Sequence, residues 1–112
     1  MLKRILLLII VPAVFLCAQT QPEMNAQARR DFERADAKLN KTYNALVARL
    51  PDAESKQKLQ ESERAWIAFR DAEASFVADQ MRGGTGAPVL RYTTMTEITE
   101  ERIKQLKSDY PP

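Results

Sequence analysis

The stretch Ala45-Leu46-Val47-Ala48-Arg49-Leu50-Pro51-Asp52-Ala53-Glu54-Ser55 is where this chain turns back on itself. Pro51 lacks the N–H that a continuing helix needs and disfavours helical backbone at Leu50, so a helix arriving from the N-terminal side stops there. Asp52 carries the short carboxylate that satisfies the free amides of a helix start, so a second helix begins at once. Upstream, Met24, Ala28, Phe32, Ala35, Leu39, Tyr43, Leu46 and Leu50 recur at spacings of three and four, one continuous stripe along a helix whose first turn accommodates Pro22. Downstream, Asp52 to about Arg82 contains neither Gly nor Pro and carries Leu59, Trp66, Phe69, Phe76, Val77 and Met81, which predicts a second long helix. So short a connection makes the pair an antiparallel αα-hairpin, in which residues whose numbers sum to about 102 face one another. Tyr43 is then set against Leu59, Asp36 against Trp66, Phe32 against Arg70 and Ala28 against Ala74.

Thr94 and Glu97 fit a capping box, which starts a third, shorter helix near Thr94 with Met95, Ile98, Arg102 and Leu106 on one face. The expected fold class is all-α: a long antiparallel helical hairpin and a C-terminal helix, joined by a Gly-rich loop. That loop, Arg82 to Thr93, holds all three glycines of the chain. No acidic residue occurs from Met81 to Thr96, while Arg82 and Arg91 bracket the glycines, so the segment reads as locally positive. Long loops of this kind serve binding as well as connection, which makes Arg82, Gly83, Gly84, Thr85, Gly86 and Arg91 the candidate partner-binding residues. The plainer alternative is that the glycines end the second helix and let Val89, Leu90 and Tyr92 fold back over the seam. A phosphate loop is excluded, because no Lys-Ser or Lys-Thr follows the glycines and no strand precedes them.

Composition removes other classes. The 112 residues allow one small domain, and with no His and a single Cys the chain cannot build a His or Cys metal cage, a Ser-His-Asp triad or a Cys-His couple. Its net charge of +2 is far from the basic excess of a nucleic-acid binder. The carboxylates, as in Glu61-Ser62-Glu63-Arg64, read as solvated helix faces with compensating Lys and Arg, so no catalytic residue, metal or cofactor is expected. Residues 1–18 read as a secretory leader, with Lys3-Arg4, an apolar run from Ile5 to Leu16, and Cys17-Ala18 before a polar segment. The run is too short, and interrupted by Pro12, to span a membrane as a helix. Export to the periplasm or the medium is the expectation, with lipid anchoring through Cys17 as the alternative, although bulky Leu16 occupies the place where a lipoprotein signal has a small residue. Cleavage after Ala18 removes Lys3 and Arg4 and leaves 15 basic against 15 acidic side chains in a mature domain of residues 19–112, its core about 24–106.

Four blocks stand in order: Asp36-Ala37-Lys38-Leu39-Asn40-Lys41-Thr42-Tyr43, Trp66-Ile67-Ala68-Phe69-Arg70-Asp71-Ala72-Glu73-Ala74, Gly83-Gly84-Thr85-Gly86, and Ile98-Thr99-Glu100-Glu101-Arg102. Together they resemble the lysozyme inhibitor LprI N-terminal domain family, over about Met24 to Leu106. The resemblance implies an all-helical exported or envelope domain, and lysozyme as a protein partner. It also implies cysteines where this chain has Gln27, Ala74 and Thr94, so a fastening of the family is missing here; a disulfide closing a long loop typically stabilises by about 2 to 4 kcal/mol.

Within the motif, Asp36, Leu39, Asn40, Tyr43, Trp66, Arg70, Asp71 and Arg102 read as scaffold. Trp66 belongs in the seam between helices. Arg70 is expected to lay its stem on aromatics and to pair with Asp36 or Glu73, and Asp71 to pair with Arg102 and dock the third helix. The competing function is a non-enzymatic envelope structural or protein-interaction domain with no lysozyme contact.

Overall fold

The computed structural model describes residues 19–109. The expected leader, with Cys17, lies outside them. The described residues form three α-helices and one short 3-10 turn: α1 (Gln21–Arg49), α2 (Ala53–Ala78), the turn Asp79–Met81, and α3 (Ala87–Asp109). No helix among the described residues is long and apolar enough to cross a membrane.

Local chemistry sets most of the boundaries. Thr20 caps α1, its hydroxyl accepting from the Glu23 amide at 3.3 Å, and Pro22 sits in the first turn. Leu50 is extended, as a residue before proline must be, and ends α1. Asp52 then caps α2 through its Oδ1, which accepts from the Ser55 amide at 2.7 Å. Hydrogen bonding from Ser55, its backbone amide first and its side chain second, holds the carboxyl of Asp52 below the ordinary carboxylate range.

The third helix begins at Ala87, not near Thr94 as the capping-box reading predicts. The Gly86 carbonyl accepts the first helical bond from the Leu90 amide at 3.1 Å, and Pro88 falls in the first turn, where its missing N–H costs nothing. Thr94 is therefore mid-helix and buried, with its hydroxyl donating back to the Leu90 carbonyl at 2.7 Å. The connection shrinks from a twelve-residue loop to the five residues Arg82–Gly86.

α1 descends, α2 ascends, and α3 descends again in the groove between them. α3 makes the closest packing with α1 and the next closest with α2, while α1 and α2 approach one another less closely. At the Pro51 end the core is Leu39, Leu46, Leu50, Ile103 and Leu106, with Tyr43, Leu59 and Trp66 packed on it half-buried. Towards the other end the buried residues shrink to Ala28, Ala35, Ala74 and Ala78, with Met95. Alanines bring helices close, and the space between them is filled by aromatic and arginine side chains instead of aliphatic ones.

Candidate functional site

At the closed end of the domain the chain leaves α2 through the 3-10 turn and re-enters α3 within a few residues. Gly83 has φ +79°, the left-handed backbone that only glycine adopts without strain. The Gly84 amide donates to the Met81 carbonyl at 2.9 Å, closing the turn. A Cβ at Gly86 would meet Cε of Met81 at 2.8 Å, so Met81 packs directly on the glycine. The glycines thus build a tight reversal in place of a long, free loop. Thr85 is exposed at its tip.

Arg82 is 80% exposed in its side chain and grips Asp79 with two bonds, Nε to Oδ1 and Nη2 to Oδ2, both 2.7 Å. That bidentate pair makes the guanidinium still harder to deprotonate than a free one. It also compensates the charge that the acid-free stretch after Met81 suggests, since the neutralising carboxylate lies just before the stretch. Arg91 is half-buried one turn into α3, its guanidinium 5.8 Å from the ring centre of Tyr92. Both arginines line one shallow concavity of about 450 Å³, together with Ser75, Asp79, Pro88 and Tyr92. The structure therefore gathers Arg82 and Arg91 although the loop expected to hold them is short; Gly83, Gly84, Thr85 and Gly86 lie outside the concavity's lining.

The scaffold motif forms a layered cluster beneath this end. Arg70 is buried, stacked 5.1 Å from the Phe32 ring centre and 5.2 Å from that of Trp66. Its Nη1 donates to Asp36 at 3.3 Å and its Nε to Asp71 at 3.0 Å. Arg102 also lies over the indole, 5.8 Å from the Trp66 ring centre. Trp66 is thus contacted by two guanidinium groups, an arrangement in which the ring quadrupole adds to the ion pairs. Phe32 continues the stack to Tyr92, with ring centres 6.1 Å apart.

Arg102 corrects one expectation. Its partner is not Asp71, which is taken by Arg70, but Glu63, whose Oε2 accepts from Nε at 3.2 Å and from Nη2 at 3.1 Å. Ser62 and Gln105 accept the remaining bonds at 3.2 and 2.6 Å. Glu63, read from sequence as a solvated carboxylate, is buried. One sequence signal distinguishes it: in the α2 period it falls seven residues before Arg70, on the inward face, whereas Glu61 does not. Asn40 stands exposed on α1, while Leu39 is 1% exposed and Tyr43 half-buried. Of the three positions where cysteine was implied, Ala74 and Thr94 are buried, and Gln27 is held on the surface of α1 by Asp31 and Arg30.

This architecture of three helices, a glycine turn and a buried arginine cluster carries all four sequence blocks, and the profile of the lysozyme inhibitor LprI family matches residues 17–106. The chain belongs to that family. An uncharacterized protein of Rhizobium meliloti (strain 1021) is 31% identical over 102 residues, covering 80% of this chain and 73% of its own length. No solved structure matches. Family membership agrees with the all-helical fold and extends from just before α1 into the last turns of α3. The residues that the family blocks contribute are divided between two places: Trp66, Arg70, Asp71 and Arg102 tie the helices together, and the glycines shape the exposed end.

Proposed function

We propose that this protein is an exported, non-enzymatic inhibitor that binds lysozyme through the end of the domain formed by the Arg82–Gly86 turn and Arg91. Family membership supports lysozyme as the partner. The observation that supports this end as the contact is that Arg82, largely exposed beside a reversal that only glycine can make, shares a concavity with Arg91. Lysozyme-type glycosidases work with two carboxyl groups flanking a cleft. A guanidinium already paired to Asp79 in bidentate fashion has the geometry to exchange that carboxylate for one in the cleft. Because Asp79 neutralises Arg82 beforehand, the gain comes from desolvation and shape at short range and not from long-range steering.

The test is a turbidity assay with purified protein and its Arg82→Ala, Arg91→Ala and turn-shortened variants. Loss of a charge-assisted contact, worth about 1.5 to 3 kcal/mol, weakens inhibition roughly 10- to 150-fold with helicity unchanged. Inhibition that survives all three changes moves the contact away from this end. Failure of the unaltered protein to inhibit any lysozyme well above micromolar concentration leaves the second reading, an envelope interaction domain without lysozyme contact; pre-neutralisation of Arg82 by Asp79 is the observation that favours it.

A further inference from the structure

α2 carries an uncharged, exposed stripe on the face opposite the one it packs into the domain. Its inner face meets α3 and, through Arg70, α1. On its outer face, between Ala65 and Phe76, stand Ala65, Ala68, Phe69, Ala72, Ser75 and Phe76, every one exposed and none charged. Phe69 is 55% and Phe76 71% exposed. Ala65, Phe69, Ala72 and Phe76 are spaced four, three and four, the rhythm of a helix-pairing seam. An uncharged seam with two outward phenylalanines, on a chain with 29% charged residues, is a surface made for another helix.

We propose that this seam is a homodimer interface, in which the α2 helices of two copies pack antiparallel about a two-fold axis passing between residues 70 and 71. The order of side chains argues for a second copy of this chain. In that register each residue faces the one whose number completes about 141, as an antiparallel pair requires. Phe69 then faces Ala72 of the other copy, and Phe76 faces Ala65. Each large ring meets a small residue at all four positions, so the two faces interdigitate without a gap or a clash. Parallel pairing would instead stack ring on ring and leave holes between alanines. The absence of charge in the seam means that two identical copies meet without like-charge repulsion, and gives a partner recognised by charge nothing to hold.

The area sets the strength. Two phenylalanines this exposed present roughly 250 Å² of ring surface, and with the alanines and flanking side chains each copy would bury about 400 to 500 Å². The total, about 800 to 1,000 Å², is the size of a weak, transient interface, so the expected dimer forms in the micromolar range or above and exchanges rapidly. The proposal does not rest on the lysozyme reading.

Sedimentation equilibrium of the purified protein, from about 1 to 500 μM, should show monomer passing to dimer. Phe69→Glu and Phe76→Glu should each raise the dissociation constant at least tenfold, because a two-fold interface contains every substitution twice, while circular dichroism stays unchanged. In a Cys17→Ser background, mixing Ala65→Cys and Phe76→Cys chains should give an oxidised heterodimer. A protein monomeric throughout this range overturns the proposal, as does a dimer indifferent to both phenylalanine changes. Ready disulfide formation by Phe69→Cys alone overturns the antiparallel register. A monomer that loses lysozyme inhibition on Phe69→Glu substitution also overturns it, assigning the seam to a different partner.

Discussion

Arg102 on α3 and Glu63 on α2, 39 residues apart in the chain, are joined by two hydrogen bonds of 3.2 and 3.1 Å to one buried carboxylate oxygen. The side chains are 7% and 11% exposed, so neither charge has water to fall back on. Removing one partner from such a pair leaves the other uncompensated, whereas replacing both with apolar residues is often neutral. Glu63→Ala should therefore destabilise the fold by about 3 kcal/mol, and the double variant Glu63→Leu with Arg102→Met by much less. Urea unfolding followed by Trp66 fluorescence measures both; equal losses in the two variants would refute the account.

Thr99 is fully buried on α3 and its hydroxyl has no hydrogen-bond partner among the described residues. Burying an unpaired hydroxyl costs free energy that an isosteric methyl does not. Thr99→Val should raise stability by about 1 kcal/mol, read as an upward shift of the urea midpoint. A downward shift would show that the hydroxyl has a partner after all.

Asp52 caps α2, and its carboxyl is held below the ordinary range mainly by the Ser55 amide. The folded state prefers the ionised form, so this contribution is complete above the carboxyl's unfolded value and is lost as pH falls through the lower folded value. Asp52→Ala should lower the melting temperature at neutral pH, and the gap between variant and parent should narrow on the acid side, below about pH 4. Asp52→Asn, which keeps an accepting oxygen, should recover most of the loss without that acid dependence. A gap independent of pH would mean that the ionised carboxylate contributes nothing special.

Gly83 adopts φ +79° with open space where a Cβ would be. The cost of a side chain there is purely conformational, so Gly83→Ala should destabilise by about 1 kcal/mol while leaving helix content intact. Thermal unfolding monitored by circular dichroism at 222 nm tests it. An unchanged midpoint would mean that the turn relaxes freely.

Much of this protein is determined by the sequence itself, because the signals are local. Pro51, Asp52 and Pro22 mark helix ends through their own backbone and side-chain chemistry, and the stripe from Met24 to Leu50 needs nothing beyond its period. The antiparallel direction follows from a connection too short for anything else, and one of its pairings, Phe32 with Arg70, is present as a cation–π stack. The glycines read as part of a twelve-residue loop, Arg82 to Thr93, and the sequence showed neither that the connection is only the five residues Arg82–Gly86 nor that Arg82 and Arg91 share one concavity. Tertiary structure decided the rest, for reasons that lie between elements. Thr94 with Glu97 matches a helix start locally as well as Gly86 with Pro88 does; α3 begins at Ala87 because its first turns pack back against α2 and the ring of Phe32. Asp71 and Glu63 are equally good partners for an arginine on paper. Only the packing of α3 into the groove sets Arg102 beside Glu63, both excluded from water, and leaves the half-exposed Asp71 to Arg70.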